Sequence, residues 1–221
     1  MERYINIVDY YQRNNNQQVL YDKQVKIGTC TAPWQNLVIN QHGATYICAS
    51  PAWLPKSIGS LLDVGDFFEL LNTHEARSIR SEVEAGRYMY CNHKICSHLS
   101  PVPRQKLYNT TPTEGDQLLT EDQFTANSTT NQLPTEICFD FDFTCNFCCP
   151  SCRTEMINHN QGPEYKVNQQ LVEKIKHLIL DLYVKQNKPL RIRWAGGEPF
   201  LSHAYLDLWE YISQHNTGKI T

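Results

Sequence analysis

Four cysteines, Cys145, Cys148, Cys149 and Cys152, fall within the stretch DFDFTCNFCCPSCRTE at 140–155. Nine cysteines in 221 residues make thiol chemistry the first question for this chain. Three kinds of site use thiols this close together. Two abutting CxxC units, Cys145/Cys148 and Cys149/Cys152, could surround a tetrahedral zinc ion, although zinc ribbons set their pairs roughly 15–20 residues apart. A thioredoxin-like redox pair needs one CxxC and leaves two thiols without a task. The spacing Cys145-x3-Cys149-x2-Cys152 offers three thiolates to an iron–sulfur cubane and leaves its fourth iron open, with Cys148 pointing elsewhere.

The compartment bears on these choices. A net charge of −3 gives no electrostatic reason to expect nucleic acid or an anionic membrane as partner. Residues 1–20 lack the positive start and apolar run of a secretory signal. No stretch approaches the roughly 18 consecutive apolar residues of a membrane span. The expectation is a cytoplasmic protein, where thiols stay reduced and dense cysteines serve metal binding or catalysis. The sequons at Asn109 and Asn127 are then chance matches.

The elements that must position the cluster follow an α/β rhythm. EICFDFDF (136–143) alternates as a strand does and runs into the cysteines. The stretch 168–187 puts Leu171, Ile175, Leu178 and Leu182 on one helical face, with Val172 and Ile179 beside them. LRIRW (190–194) is a second strand, YLDLWEYISQ (205–214) a second amphipathic helix, and GKIT (218–221) the start of a third strand. Strand and helix in alternation predict a parallel sheet. Three zones result: a Cys-rich α+β domain over 1–102, a polar linker over 103–134, and the α/β part over 135–221. Cys138, within the first of these strands, is read as a small core residue.

In this context the chain resembles the radical SAM superfamily. FDFTCNFCCPSCR carries the CxxxCxxC signature after a first strand, and RIRWAGGEPFLS (191–202) carries the GGEP motif after a second. The resemblance implies the N-terminal part of a parallel (β/α) barrel. It implies that Cys145, Cys149 and Cys152 hold a 4Fe-4S cluster whose fourth iron is chelated by S-adenosyl-L-methionine. Gly196, Gly197, Glu198 and Pro199 would contact that cofactor, the first three offering backbone and carboxylate acceptors to its ammonium group. Reductive cleavage would give a 5′-deoxyadenosyl radical that abstracts hydrogen from substrate. Ser151 stands where many members carry an aromatic residue.

The earlier cysteines form a second set. Twelve residues separate Cys30 from Gly43 and four separate Gly43 from Cys48. That glycine suits a hairpin turn between NLVIN and ATYIC, which would return Cys48 towards Cys30. With Cys91 and Cys96 in GRYMYCNHKIC, the pattern resembles a SPASM/twitch module, here placed before the barrel motifs. This implies an auxiliary 4Fe-4S cluster on Cys30, Cys48, Cys91 and Cys96. Four thiolates satisfy zinc equally well, and His93 and His98 lie close enough in sequence to serve it or to be plain surface residues.

Two functions follow from this reading. The first is a radical SAM enzyme acting on a peptide or small-molecule substrate and reduced by a protein such as flavodoxin or ferredoxin. The second is a zinc- or cluster-binding interaction module without catalysis. The family barrel needs about six strand–helix units and roughly two are present. The chain is therefore expected to be a fragment, or to take the remainder from another polypeptide.

Overall fold

The computed structural model describes residues 30–86, 88–92, 95–96, 128–149, 152–216 and 218–221. Most of the linker zone, His93, His98, the sequons at Asn109 and Asn127, and Ser151 lie outside the described residues.

A five-stranded mixed sheet organises the chain. Its strands are β1 (Asn36–Asn40), β2 (Ala44–Tyr46), β3 (Gly59–Ser60), β4 (Glu136–Asp140) and β5 (Arg191–Trp194), in the spatial order β3-β2-β1-β4-β5. The sheet is open rather than closed. β1 and β2 form the expected antiparallel hairpin, with Val38 opposite Tyr46, turned at Gln41–Gly43. Gly43 has φ +76, and a Cβ there would stand 2.8 Å from Ser60 Oγ, so both conformation and space call for glycine. β4 runs parallel to β5, and Leu190 makes a parallel bridge to Ile220 at the next position. One pairing joins zones far apart in sequence: β1 lies parallel to β4 in register from Asn36↔Glu136 to Asn40↔Asp140.

Alternation along the strands gives the sheet two chemical faces. Leu37, Ile39, Ile137, Phe139 and Ile192 belong to one face and to the main apolar core. The crossover after β4 supplies helix α4 (Gly162–Lys174), a π-helical stretch (Ile175–Leu180) and a helix over Asp181–Gln186; the crossover after β5 supplies a helix over His203–His215. Leu171, Val172, Ile175, Ile179 and Tyr183 from the first, and Ala204, Tyr205 and Leu208 from the second, join that core. Each fully buried aliphatic or aromatic side chain of this kind contributes about 1.5–3 kcal/mol. The opposite face carries Asn36, Asn40, Glu136, Asp140, Arg191 and Arg193 around the buried Val38 and Cys138.

The helix differs from expectation in one respect. Leu178 and Leu182 are only partly buried, while Ile179, Leu180 and Tyr183 are fully so. The π-helical stretch bonds i to i+5, so each turn takes an extra residue and the buried stripe steps round the helix. A 3.6-residue periodicity misses that step.

Among the described residues of the first part are three short helices, α1 (Ala32–Gln35), α2 (Phe67–Leu71) and α3 (His74–Glu84). The side chain of Asp66 accepts from Phe68 N and Glu69 N at the start of α2, and Thr73 Oγ1 accepts from Ala76 N at the start of α3. Within α3, Arg80 is 1% exposed. Its guanidinium donates to the carbonyls of Pro33 (3.1 Å), Leu71 (2.6 Å) and Ser128 (3.2 Å), tying three separate segments together. Burial lowers its pKa to about 10. Replacing it should leave three buried carbonyls without that donor. Arg80→Leu is expected to destabilise the chain by about 3 kcal/mol, read as a lower urea midpoint at unchanged slope.

Candidate metal centres

The loop after β4 is held from beneath by a buried polar knot. The Tyr205 hydroxyl accepts hydrogen bonds from Phe141 N and Asp142 N, both at 3.1 Å, and its own hydrogen faces the carbonyls of Ala195 (3.0 Å) and Phe139 (3.2 Å). Burial drives this phenol far above its usual pKa, so it acts as a neutral donor and acceptor. Asp142 is 1% exposed. Its Oδ1 accepts from Thr144 N and Thr144 Oγ1 at 2.8 Å, and its Oδ2 accepts from Ser202 Oγ at 2.6 Å. Ser202 Oγ in turn accepts from Tyr205 N, capping the His203–His215 helix. His159 N donates to Thr144 Oγ1 at 3.0 Å, and its ring lies 3.8 Å from the Asp142 carboxylate.

Above this knot the cysteine loop closes on itself. Cys145 N donates to Ile157 O (2.8 Å) and Ile157 N to Cys145 O (3.1 Å), forming a neck. Cys145 is buried in that neck, and Phe147 N lies 3.5 Å from its sulfur. Cys152 N and Arg153 N both donate to Cys149 O, at 2.9 and 3.0 Å, which holds these residues together at the tip. Cys148, Cys149 and Cys152 are exposed there. The exposed side chains of Phe147, Met156 and Phe200 stand on the cysteine loop and just after the GGEP residues.

The GGEP segment runs alongside the same loop. Ala195 N donates to Phe139 O (2.8 Å), Gly197 N to Asp142 O (3.0 Å) and Glu198 N to Thr144 O (2.7 Å). The approach is so close that a Cβ at Gly196 would stand 2.5 Å from Asp142 O, and one at Gly197 would stand 2.0 Å from Thr144 O. Two glycines are thus needed for the two loops to zip together, apart from any ligand. Their remaining groups are partly engaged. Gly196 O accepts from Arg153 Nη2 (3.3 Å), and Glu198 Oε1 accepts from Phe200 N (3.3 Å) at the start of the turn Pro199–Leu201.

The second cysteine set lies around the ends of the hairpin and the segment after α3. Cys30 precedes α1, Cys48 follows β2, and Cys96 N donates to Asn92 O at 3.0 Å next to Cys91. Asn92 N donates to Trp53 O at 2.7 Å, which ties Asn92 to the segment after β2. Val83, Tyr88 and Cys96 form a small apolar cluster with Trp34, Trp53, Cys30 and Cys91 around it. Three of these thiols are raised by their neighbours: Cys30 by Cys96, Cys48 by Cys96 and Cys30, and Cys91 by Cys96, Cys48 and Cys30. Burial is the larger cause in each case, and it pushes Cys91 well above the ordinary thiol range. Backbone N–H groups are aimed at two of the sulfurs, from Ala32 at Cys30 and from Ser50 and Ala49 at Cys48.

Among the described residues, no three or more His, Cys, Asp or Glu side chains stand in metal-holding geometry. The quartet is gathered without being drawn to coordination distance; Coulomb interaction reaches well beyond a metal–sulfur bond of about 2.3 Å. Its donor set, four thiols of which Cys30 and Cys48 have backbone N–H donors, suits a thiophilic metal, while burial holds Cys30, Cys48 and Cys91 towards the protonated form that a metal would have to displace. The triad also offers thiol ligands, but Cys149 and Cys152 sit at an exposed tip and Cys145 in the buried neck.

Sequence reasoning did not pick out Asp140, Asp142, Arg153, Ser202 or Tyr205. A signal was present in FDFDF, where two aspartates interrupt an aromatic strand. Asp140 sits at the end of β4, and its carboxylate lies 3.3 Å from where a Gly196 Cβ would be. Burial pushes its pKa up to about 6. Cys138, across from Arg193, is buried as expected, and burial pushes its thiol up to about 11.

Gly197→Ala should break the zipper between the two loops, lowering stability by about 3 kcal/mol and exposing the Glu198 amide to exchange. Asp140 yields a pH test. The folded carboxyl keeps its proton up to about 6, against 3.8 for the ordinary group, so its ionisation opposes folding. Its stabilising contribution is present below about pH 4 and is lost as the pH rises through about 6. Asp140→Asn should therefore raise stability above that range, by roughly 1–2 kcal/mol after solvent screening, and leave it unchanged below about pH 4. Unfolding curves across the pH range check this.

No family model, curated protein or solved structure matches this chain, so its functional reading rests on these residues and their geometry.

Proposed function

We propose that this chain is a radical SAM enzyme or the N-terminal part of one. Cys145, Cys149 and Cys152 would hold a 4Fe-4S cluster, with Gly196, Gly197, Glu198 and Pro199 beside the S-adenosyl-L-methionine bound to it. The observation that carries this reading is the zipper between the two motifs. CxxxCxxC and GGEP follow neighbouring parallel strands, and the Gly197 and Glu198 amides bond the backbone of the cysteine loop at Asp142 and Thr144. In parallel α/β folds, ligands gather at such carboxyl ends of strands. When bound and reduced, the cluster and its cofactor supply a 5′-deoxyadenosyl radical for hydrogen abstraction from a peptide or small-molecule substrate.

The chain's own residues have supporting tasks. The Asp142–Ser202–Tyr205 knot fixes the floor of the cysteine loop. The Gly197 and Glu198 amides, already bonded within the protein, fix the orientation of the carbonyls that would meet a ligand's ammonium. In this reading β4, β5 and the bridge at Ile220 begin a partial barrel, and the residues before about 102 are a twitch-like module. That module would use Cys30, Cys48, Cys91 and Cys96 for an auxiliary 4Fe-4S cluster. A flavodoxin or ferredoxin would deliver electrons, and the location would be cytoplasmic. Among the described residues, no helix is long and apolar enough to cross a membrane.

A second reading attaches to the quartet alone. Four thiols, two of them with backbone N–H donors, also suit a structural zinc ion, which would make the first part an interaction module.

Metal analysis separates these readings. One triad and one quartet predict roughly eight iron atoms per chain after anaerobic reconstitution, with brown colour and broad visible absorbance. Cys148→Ala should leave the triad cluster intact, whereas Cys149→Ala should remove it and the associated cofactor binding. Equal metal loss in the two variants would reject the triad in favour of paired CxxC units. Tightly bound zinc without iron would reject both clusters.

A further inference from the structure

Arg153 directly follows the last cysteine of the loop, and its half-buried guanidinium reaches three places. Nη1 donates to Phe143 O at 2.9 Å, in the strand end leading to Cys145. Nη2 lies 3.3 Å from Gly196 O in the GGEP segment and 3.5 Å from Cys152 Sγ at the loop tip. One side chain thereby joins the tip of the cysteine loop, its base and the neighbouring glycine loop. A planar fork of donors can make these contacts together, whereas a lysine ammonium acts as a single point charge on a flexible stem. Its contact with Cys152 puts a positive charge beside the sulfur, and hydrogen bonds and charge at the ligand sulfurs set the reduction potential of iron–sulfur clusters.

We infer that Arg153 is a positioning residue that fixes Cys152 against the glycine loop and makes the electronic character of Cys152 as a cluster ligand depend on what the Gly196 carbonyl binds. The electronic part rests on the radical SAM reading; the positional part belongs to the chain itself and is open to test without metal. A ligand ammonium approaching Gly196 O meets the guanidinium already bonded there, so Arg153 must share or yield that carbonyl. Either adjustment is transmitted through the same Nη2 to Cys152.

Two measurements on the full chain test this, using Arg153→Gln and Arg153→Lys. In the metal-free protein, hydrogen exchange is followed at the Gly197 and Glu198 amides, which bond Asp142 O and Thr144 O. Arg153→Gln should speed their exchange on the order of tenfold, as loss of a charged clamp requires, with less change in Arg153→Lys. Unchanged exchange in both variants overturns the positional inference. After anaerobic reconstitution, the midpoint potential is read for the cluster signal that Cys149→Ala abolishes, with and without S-adenosyl-L-methionine. Arg153→Gln should move that potential to more negative values and remove the shift caused by the cofactor. Arg153→Lys should restore the potential, through its charge, but not the cofactor-dependent shift, which needs the fork. A variant with both the wild-type potential and the wild-type shift overturns the electronic inference. If Arg153→Gln takes up no cluster, Arg153→Lys decides by the same criterion. Absence of any Cys149-dependent signal in the wild-type chain overturns the radical SAM reading and the electronic inference with it, while leaving the exchange result to stand or fall alone.

Discussion

The parallel pairing of β1 with β4 is the constraint on which the rest of the structure depends. Five residue pairs, from Asn36↔Glu136 to Asn40↔Asp140, join the part of the chain that carries the cysteine quartet to the part that carries the triad. Thr135 N donates to Gln35 O just before this register begins, so the alignment is already set at the strand entrance. Because side chains alternate along each strand, a slip of one residue would set Asn40 beside Phe139 or Ile39 beside Asp140, placing a polar side chain against the apolar face. The apolar core and the polar face of the sheet both follow from that single alignment.

The loops beyond β4 depend on a second constraint, a buried carboxylate. A carboxyl group such as that of Asp142 is costly to bury unless its oxygens find hydrogen-bond partners. Here Thr144 and Ser202 supply them, and Tyr205 takes up the two amides just past the strand end. Each of these partners comes from a different place in the chain: the strand end itself, the cap of the last helix and the first turn of that helix. The knot converts the end of a strand into a fixed base from which both the cysteine loop and the glycine loop depart. A buried polar knot of this kind specifies geometry more than it adds stability.

Much of the local structure was legible in the sequence because its causes are local. The glycine between NLVIN and ATYIC announces the hairpin, alternation announces β4 and β5, and apolar spacing announces the two long helices. The step in the buried stripe from Leu178 to Ile179 was not legible, since a π-helical stretch breaks the period on which helix reading relies. The β1–β4 pairing was hidden for a different reason: a strand's own residues do not say which distant strand it meets. The site followed the same division. Cysteine spacing and GGEP stood out as patterns, while Arg153 and Asp142 carry their meaning only through the carbonyls and hydroxyls that the fold brings to them. The glycines of GGEP turned out to have a structural cause as well, the closeness of Asp142 O and Thr144 O.

The same long-range pairing has a consequence for the order in which the chain is made. Asn36 and Glu136 lie 100 positions apart, 136 less 36. At a synthesis rate of ~5–20 residues per second, β1 waits roughly 5–20 s for its partner to be built. Throughout that interval β2 can protect one side of Leu37, Val38 and Ile39, while the other side presents unpaired amides and carbonyls. An edge of that kind accepts whatever extended segment comes near, including the same edge of a neighbouring nascent chain. The interval before β4 emerges, more than the stability of the finished sheet, is when this protein is open to misassembly.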